Sequence, residues 1–431
     1  MTSMRLLSWT AVLGAVTASP LMAQADSAVY AIRGGTVHTL AGDEIVGGTV
    51  LMQGGLITAA GASVSVPADA RVFDATGLHV YPGMFDAVTR LGLTEIGQVA
   101  ATQDMSELGE FNPHLLAATA IHPASEYIPV TRANGVTHAV AAPTGQSGGI
   151  GGQGSLVHLD GWTVEEMLIE PSIGMILNWP NIGGGRRGFG GRGGGERRPF
   201  REMQERYDEQ IGEMESWLEA ARQYANAVES GSQIRRDLKL EALGRVVNGE
   251  LPFLVMANSE RSINDAIDFA ARNEVRIIIA GGREGWKVRE RLAGENIPVI
   301  LGKTAAMPSG EDDGYDQAYA NPGLLYEAGV KFAIATFDAA GSRTLPYEAG
   351  MAVGYGLPWE EALKAVTTNP AEILGVSDRL GTIEVGKIAN LIVTTGDPLD
   401  IQTDVRYLFI NGEMVDLQNK HRSLYERYRG R

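Results

Sequence analysis

The alternation of two sequence patterns over residues 84–374 constrains the fold of this chain more than any other feature. Short apolar runs that suit β-strands are separated by segments in which apolar residues recur at helical spacing. Such alternation predicts an α/β fold in which βα units surround a parallel sheet. The predicted strands are 84–89, 137–142, 173–177, 253–257, 276–280, 299–301 and 331–335, and the helices between them include 262–271 and 359–366.

Two groups of short β-branched runs flank this central region. The first lies within 29–77, where glycines interrupt the runs, and the second follows residue 380 and contains the hairpin signal Asn411-Gly412. Runs of this kind predict antiparallel strands. Because both ends of the chain carry them, we expect residues 29–80 and 381–417 to form one composite β-sandwich domain beside a barrel at 81–380.

Composition excludes several classes of function. The chain has 431 residues, a net charge of −16 and a pI near 5.0, so it has no general electrostatic attraction to nucleic acid or to an anionic membrane. It contains no cysteine, which excludes thiolate catalysis, thiolate zinc sites and disulfides.

The first residues resemble a secretory signal peptide. Arg5 precedes an apolar run from Leu6 to Val16, and small residues follow at Ala23 and Ala25. A membrane anchor or a buried helix is the alternative, but the apolar run is short for a bilayer span. We therefore predict a signal peptide at 1–23, export to the periplasm or the medium, and no membrane span in the remaining chain.

A glycine- and arginine-rich tract interrupts the alternation at 183–201. Such a tract could bind RNA, but in an acidic chain a solvated, irregular insertion before a surface helix is the favoured interpretation. A second glycine cluster, at 144–154, has neither the G-x-x-x-x-G-K-[ST] pattern nor a strand and helix around G-x-G-x-x-G. We predict that this second cluster is a loop.

Four motifs resemble those of the amidohydrolase superfamily, in particular its imidazolonepropionase-like secreted branch. They are YPGMFDAVTR at 81–90, TRANGVTHAV at 131–140, GVKFAIATFD at 329–338 and, most specific, the run at 360–399. The resemblance covers about 29–417 and implies a (β/α)8 TIM-like barrel with a small β-sandwich satellite built from both termini. It also implies one or two divalent metals, zinc or another ion, held by an H-x-H motif, a bridging Lys or Glu, two single histidines and an Asp.

Most of those ligands are missing from this chain. Val88 and Arg90 stand at the two histidine positions of the first strand, Met256 at that of the fifth and Gly281 at that of the sixth. Only Asp338, the eighth-strand residue, matches the implied ligand set. The first lysine is Lys239, and no histidine lies between 159 and 420. We therefore expect no metal cofactor.

Other residues complete the predicted site at the barrel mouth. Asp86 shares a strand face with Val88 and Arg90 by the two-residue period of a strand, and Asn258 and Lys303 are further lining residues. Without a metal, Asp338 needs a cation, and we predict that Arg90 forms an ion pair with it. In the alternative to this pair, Arg90 points to solvent and Asp338 bonds to backbone amides. A separate hypothesis is a calcium or magnesium site built from carboxylates of two acidic loops, namely Asp104, Glu107, Glu110, Asp312, Asp313 and Asp316.

Two functions follow from these observations. The resemblance implies a hydrolase of non-peptide C–N bonds in small amides or cyclic ureides, whereas the missing ligands make the metal-dependent mechanism doubtful. The alternative is a non-catalytic relative that binds a small molecule in the barrel mouth. Its protein partner would be a second copy of the chain or an active paralogue, and nucleic acid is not an expected partner.

Overall fold

The computed structural model describes residues 28–182, 199–310 and 312–431. The predicted signal peptide, 1–23, and residues 183–198 of the glycine- and arginine-rich tract lie outside these ranges. Residues 200 and 201, predicted to be irregular, are instead the exposed first residues of a long helix. The described residues form a TIM-like barrel and an additional β domain. None of their helices is long and apolar enough to cross a membrane.

The additional domain is one mixed sheet made from both ends of the chain. Its strands are β1 (Tyr30–Val37), β2 (Ile45–Gln53), β3 (Leu56–Gly61), β4 (Arg71–Asp74), β5 (His79–Pro82), β14 (Leu391–Thr394), β15 (Val405–Ile410) and β16 (Glu413–Met414). Their order is β16-β15-β14-β5-β1-β2-β3, with β4 parallel to β1, so the domain is one hydrogen-bonded sheet where a sandwich of two sheets was predicted. Its core contains Ile32, Met52 and Phe409.

Eight strands in chain order form the barrel sheet. They are β6 (Met84–Thr89), β7 (Val136–Ala141), β8 (Gly149–His158), β9 (Leu168–Asn178), β10 (Phe253–Ala257), β11 (Ile277–Gly281), β12 (Val299–Leu301) and β13 (Phe332–Ile334). The sheet curls until its first and last strands meet, where Phe337 N–H donates to Val88 O at 2.9 Å. Its predicted strands are all present, within a few residues of the predicted bounds.

The third strand of the barrel departs from the pattern of eight repeated βα units. Strand β8 runs antiparallel to both β7 and β9, and every other neighbouring pair from β6 to β13 is parallel. It begins at Gly149 and includes the second half of the glycine cluster that was predicted to be a loop. The prediction failed because glycine has low β-propensity, whereas here all ten residues of β8 are buried between two partner strands.

Helices cover the outer face of the barrel. An outer apolar layer packs them against the strands, and an inner layer that includes Phe85, Leu254 and Ile300 fills the barrel. The longest of the described helices, Phe200–Glu229, buries Tyr207 and Leu218 on one face. The helices are α1 (Tyr127–Arg132), α2 (Val164–Met167), α3 (Phe200–Glu229), α4 (Leu238–Val247), α5 (Glu260–Asn273), α6 (Arg289–Gly294), α7 (Gln317–Glu327), α8 (Leu345–Val353), α9 (Trp359–Lys364), α10 (Thr368–Ile373) and α11 (Lys420–Tyr428).

Candidate functional site at the barrel mouth

The carboxyl ends of the parallel strands converge on one mouth of the barrel. Val88, at the end of β6, is buried in the inner apolar layer, and the half-buried Met256 of β10 packs against that layer. Gly281 ends β11, and a β-carbon there would lie 2.6 Å from the Oδ1 atom of Asn258. The side chain of Asn258 therefore occupies the space beside Gly281. Barrel enzymes place their active sites at this end of the strands.

An ion pair at the mouth joins Lys303 and Asp338. Lys303 follows β12 and Asp338 follows the neighbouring β13, and the Lys303 Nζ atom lies 2.7 Å from Asp338 Oδ2. Both side chains are partly exposed, at 35% and 43%. Burial opposes the negative charge of Asp338, but the Lys303 ammonium and the N–H groups of Gly341 and Ala339 hold the pKa of its carboxyl below the ordinary value.

The space around this ion pair depends on a glycine. A β-carbon on Gly341 would lie 2.6 Å from Lys303 Nζ and 2.7 Å from Asp338 Oδ2. Both distances are shorter than a van der Waals contact, so any other residue at 341 would push the pair apart. Gly341 also donates its N–H to the Asp338 carboxylate. The loop after β13 is therefore shaped around a paired carboxylate.

The predicted pair between Arg90 and Asp338 is absent. Among the described residues Arg90 forms no ion pair, and its contact with Asp338 is between the backbone N–H and the carbonyl oxygen, at 3.5 Å. Lys303 takes its place because β12 and β13 are hydrogen-bonded neighbours, so residues just beyond their ends lie side by side. The sequence contained this signal, since both residues follow predicted adjacent strands.

Asp86 lies at the barrel seam and does not share the inner face with Val88, contrary to the prediction. Phe85, Ala87 and Val88 all join the inner layer, because a register shift in the β6–β7 pairing interrupts the two-residue alternation. The fully buried Asp86 carboxylate accepts hydrogen bonds from Thr336 N–H at 3.0 Å and Thr336 Oγ1 at 2.5 Å. Burial raises its pKa to about 7 although these bonds act against the rise. Asp86 therefore holds the first strand to the last.

The donor atoms at the mouth do not suit the divalent metal that the fold family implies. Val88 and Gly281 offer no donor, Met256 offers a weak thioether, and the Asp338 carboxylate is neutralised by an ammonium. The described residues contain no cluster of three His, Asp or Glu side chains placed to bind a metal. The Ca²⁺ or Mg²⁺ alternative also lacks support, because Asp313 pairs with Lys287 at 3.3 Å.

Two histidines lie inside the barrel, but at the end opposite the mouth. Nδ1 of His138 and Nδ1 of His158 are each 3.3 Å from Nδ2 of Asn390, which belongs to the additional domain. Burial and the neighbouring His158 lower the pKa of His138 well below its ordinary value, and burial lowers that of His158 to about 4. Both imidazoles are therefore neutral at pH 7 and join the barrel floor to the β domain.

Comparison with known proteins gives the same fold and a match of part of the chain to the amidohydrolase family. The model of the amidohydrolase family matches residues 288–417. Amidohydrolase tasK of Hapsidospora irregularis is 26% identical over 399 residues, which are 85% of this chain and 39% of that protein. The imidazolonepropionase of Syntrophobacter fumaroxidans is 38% identical over 82 residues, which are 18% of this chain and 19% of that protein. The chain therefore spans less than half the length of these curated relatives.

A solved structure extends the likeness over almost the whole chain. The crystal structure of an amidohydrolase from Thermotoga maritima MSB8 has a TM-score of 0.77 and 25% sequence identity. The match covers 90% of this chain and 99% of that one. Both the barrel and the additional β domain therefore have a counterpart in a protein of this kind.

Proposed function

We propose that the chain is a member of the amidohydrolase superfamily, which its match over residues 288–417 and its fold support. We also propose that its barrel mouth binds a small molecule and does not hydrolyse it through a metal-activated water. The observation that carries this proposal is the contact of 2.7 Å between Lys303 and Asp338. The one carboxylate that matches the implied metal ligands is satisfied by an ammonium from the same chain. A lysine at this place supplies positive charge, but unlike a metal ion it has no coordination position that a water could occupy.

The chemical difference between an ammonium and a metal ion is large. Zinc lowers the pKa of a bound water to about 7 and so makes hydroxide available at neutral pH. An ammonium donates hydrogen bonds but does not ionise a water in this way. Lys303 has three N–H donors, and Asp338 accepts one of them. The remaining donors suit the carbonyl or carboxylate oxygen of a bound molecule.

The second candidate function is hydrolysis of non-peptide C–N bonds in small amides or cyclic ureides. The observation that favours it is the Asp338 carboxylate itself, which stands after the last barrel strand as the resemblance implies and is 43% exposed. In this case Asp338 would accept a proton from the attacking water. The ion pair with Lys303 acts against that role, because a carboxyl with a lowered pKa is a weaker base.

One experiment on the full-length protein separates the two candidates. Protein purified from zinc-supplemented medium is analysed for metal and assayed against a panel of N-acyl amino acids, cyclic ureides and dipeptides. We expect less than stoichiometric zinc and no turnover. About one zinc per chain, with turnover that is lost in Asp338→Asn, would overturn the binding proposal and establish the hydrolase.

A matched pair of lysine variants tests the site. Ligands found by thermal shift should lose affinity in Lys303→Met, because that change removes the ammonium at the mouth. Lys331→Met is the control, since Lys331 pairs with Glu372 at the opposite end of β13. Equal loss in both variants would contradict the placement of the ligand at the mouth.

Three further proposals concern the branch of the superfamily, the export of the protein and its assembly. We propose membership of the imidazolonepropionase-like secreted branch, from the motif at 360–399, and export after cleavage near residue 23. We also propose that the protein pairs with a second copy or with an active paralogue. N-terminal sequencing of the mature protein and its mass in solution by light scattering test cleavage and assembly.

A further inference from the structure

The helix α11 leaves an apolar face largely uncovered. Its aromatic and apolar residues recur at positions i, i+3, i+4 and i+7 and so share one face, namely His421, Leu424, Tyr425 and Tyr428. The last three are 40%, 66% and 44% exposed, and the helix buries none of its nine residues. Isolated helices shorter than about 12 residues are only marginally stable in water. We therefore expect another surface to cover this face.

Positive charge borders the apolar face of α11 on both sides. The helical period places Lys420 and Arg427 on one flank and Arg422 on the other. None of these three cations forms an ion pair with a described residue. Residues 420–431 contain five cations and one anion, so they carry +4 in a chain whose net charge is −16. The helix is therefore suited to a surface that is apolar at its centre and negative at its edge.

A groove between α1 and α2 has an apolar lining. It holds about 880 Å³ of space, counting the part open to solvent. The buried side chains of Ile128 and Met167 line it from α1 and α2. Trp162 lies at its edge and is 92% exposed, and Pro123 and Pro129 complete the apolar lining. An exposed indole beside such a groove is typical of a surface that binds another protein.

The free charges of this groove are negative. Glu126 lines the groove, and Glu165 lies in the first turn of the neighbouring α2. Both carboxylates are exposed, and neither forms an ion pair with a described residue. Arg132, which also lines the groove, is paired with Asp160. The groove is therefore complementary to α11 in both charge and apolar character.

The helix α11 and the groove both adjoin α1, so they lie on the same side of the molecule. We propose that together they form the interface of a symmetric dimer, in which α11 of each copy lies in the groove of the other. A two-fold axis beside α1 forms both contacts at once, as an isologous interface requires. The tyrosines of α11 pack against Trp162, and its free cations pair with the free carboxylates of the groove. This inference rests on the proposed pairing with a second copy and names the surface that makes it.

An anionic membrane is the other surface that attracts an aromatic helix with flanking cations. The observations favour a second copy, because the groove with its exposed Trp162 is a second surface that lacks a cover. A symmetric dimer covers the helix and the groove together, whereas a membrane bound through α11 accounts only for the helix.

Sedimentation velocity of the full-length protein over a concentration series measures the dimerisation constant. The helix variant, Arg422→Glu with Arg427→Glu, should weaken dimerisation at least tenfold, because it replaces attraction to the groove by repulsion. The matched control is Arg206→Glu with Arg276→Glu. Both of these arginines are exposed and lie in the part of the barrel between β9 and β11, away from α1. The control should dimerise as the wild type does.

Charge reversal of the groove gives the second arm of the test. The groove variant, Glu126→Arg with Glu165→Arg, should weaken dimerisation by a similar factor. All four changes together should restore most of the affinity, because the charges of helix and groove are then opposite again. All four residues are exposed, so each variant should melt near the wild-type temperature, which shows that the fold is kept.

The results distinguish the surface from the assembly. Dimerisation that resists either reversal, or that the four changes together do not restore, would overturn the inference and leave the pairing to another surface. A wild type that is monomeric at every concentration would overturn the pairing with a second copy as well. Monomeric protein that binds vesicles of phosphatidylglycerol and phosphatidylcholine through α11, with binding lost in the helix variant, would assign the helix to a membrane instead. None of these results bears on ligand binding at the mouth.

Discussion

Replacing His158 by Asn should reduce the loss of stability that the protein suffers in acid. The His158 imidazole is 6% exposed, and burial lowers its pKa from 6.5 to about 4. The folded protein therefore resists protonation at this ring, whereas the unfolded chain accepts the proton near pH 6.5. The contribution of the neutral ring to stability is present above pH 6.5 and is lost as the pH falls toward 4.

The size of this effect follows from the shift in pKa. A change of one unit corresponds to 1.36 kcal/mol, so the shift from 6.5 to about 4 costs about 3 kcal/mol of folding free energy between pH 6.5 and pH 4. Asn is the chosen replacement because its Oδ1 atom stands close to the position of imidazole Nδ1. It can therefore accept from Nδ2 of Asn390, as His158 does at 3.3 Å.

Urea unfolding at half-unit steps from pH 4 to pH 7.5 measures this effect. The quantity compared is the change in unfolding free energy across the pH range, which is insensitive to any constant loss that the substitution itself causes. We expect the wild-type profile to fall by about 3 kcal/mol more than the His158→Asn profile. His421→Asn, on the exposed face of α11, is the control and should follow the wild type. Parallel profiles for wild type and His158→Asn would refute the reasoning.

Three other perturbations have defined outcomes. Asp86→Asn should change the pH profile in the opposite sense, because burial raises the pKa of Asp86 in the folded protein to about 7. The contribution of the protonated carboxyl to stability is complete below about pH 4 and is lost as the pH rises through 7. Urea unfolding of the variant should therefore not show that loss. Gly341→Ala should separate Lys303 from Asp338, because the new methyl group would lie under 3 Å from both, and should cost about 1–3 kcal/mol in urea unfolding; unchanged stability and ligand affinity would contradict the described packing. Leu254→Ala, at a fully buried position of the inner layer, should cost about 2–5 kcal/mol, and a cost below about 1 kcal/mol would indicate that the barrel interior is not tightly packed.

The local pattern of the sequence determined where most barrel strands lie. The runs at 84–89, 253–257 and 299–301 were predicted with the bounds that the structure has. This is possible because a strand buried on both faces is a continuous apolar run bounded by glycine, proline or polar residues. The motif at 360–399 and the absence of histidine from 159 to 420 were also properties of the chain alone.

The third barrel strand was decided by tertiary contacts. The run GIGGQG has no preference for a strand by itself, but β7 and β9 supply hydrogen bonds on both sides of it. Glycine is needed where the backbone is crowded: a β-carbon on Gly149 would lie 2.2 Å from Glu110 O. Glycines weaken an isolated strand, but in β8 they fit because the neighbouring backbone leaves no room for a side chain.

The partners of charged and polar side chains were also decided in three dimensions. Arg90 was the predicted cation for Asp338, and Lys303 was predicted only to line the site. The hydrogen-bonded pairing of β12 and β13 instead places Lys303 beside Asp338. In the same way, only the fold shows that Asn321 Oδ1 is buried and accepts no hydrogen bond from the described residues. Periodicity specifies which residues are apolar and where strands lie, but a hydrogen bond depends on distances of a few tenths of an ångström between segments far apart in the chain.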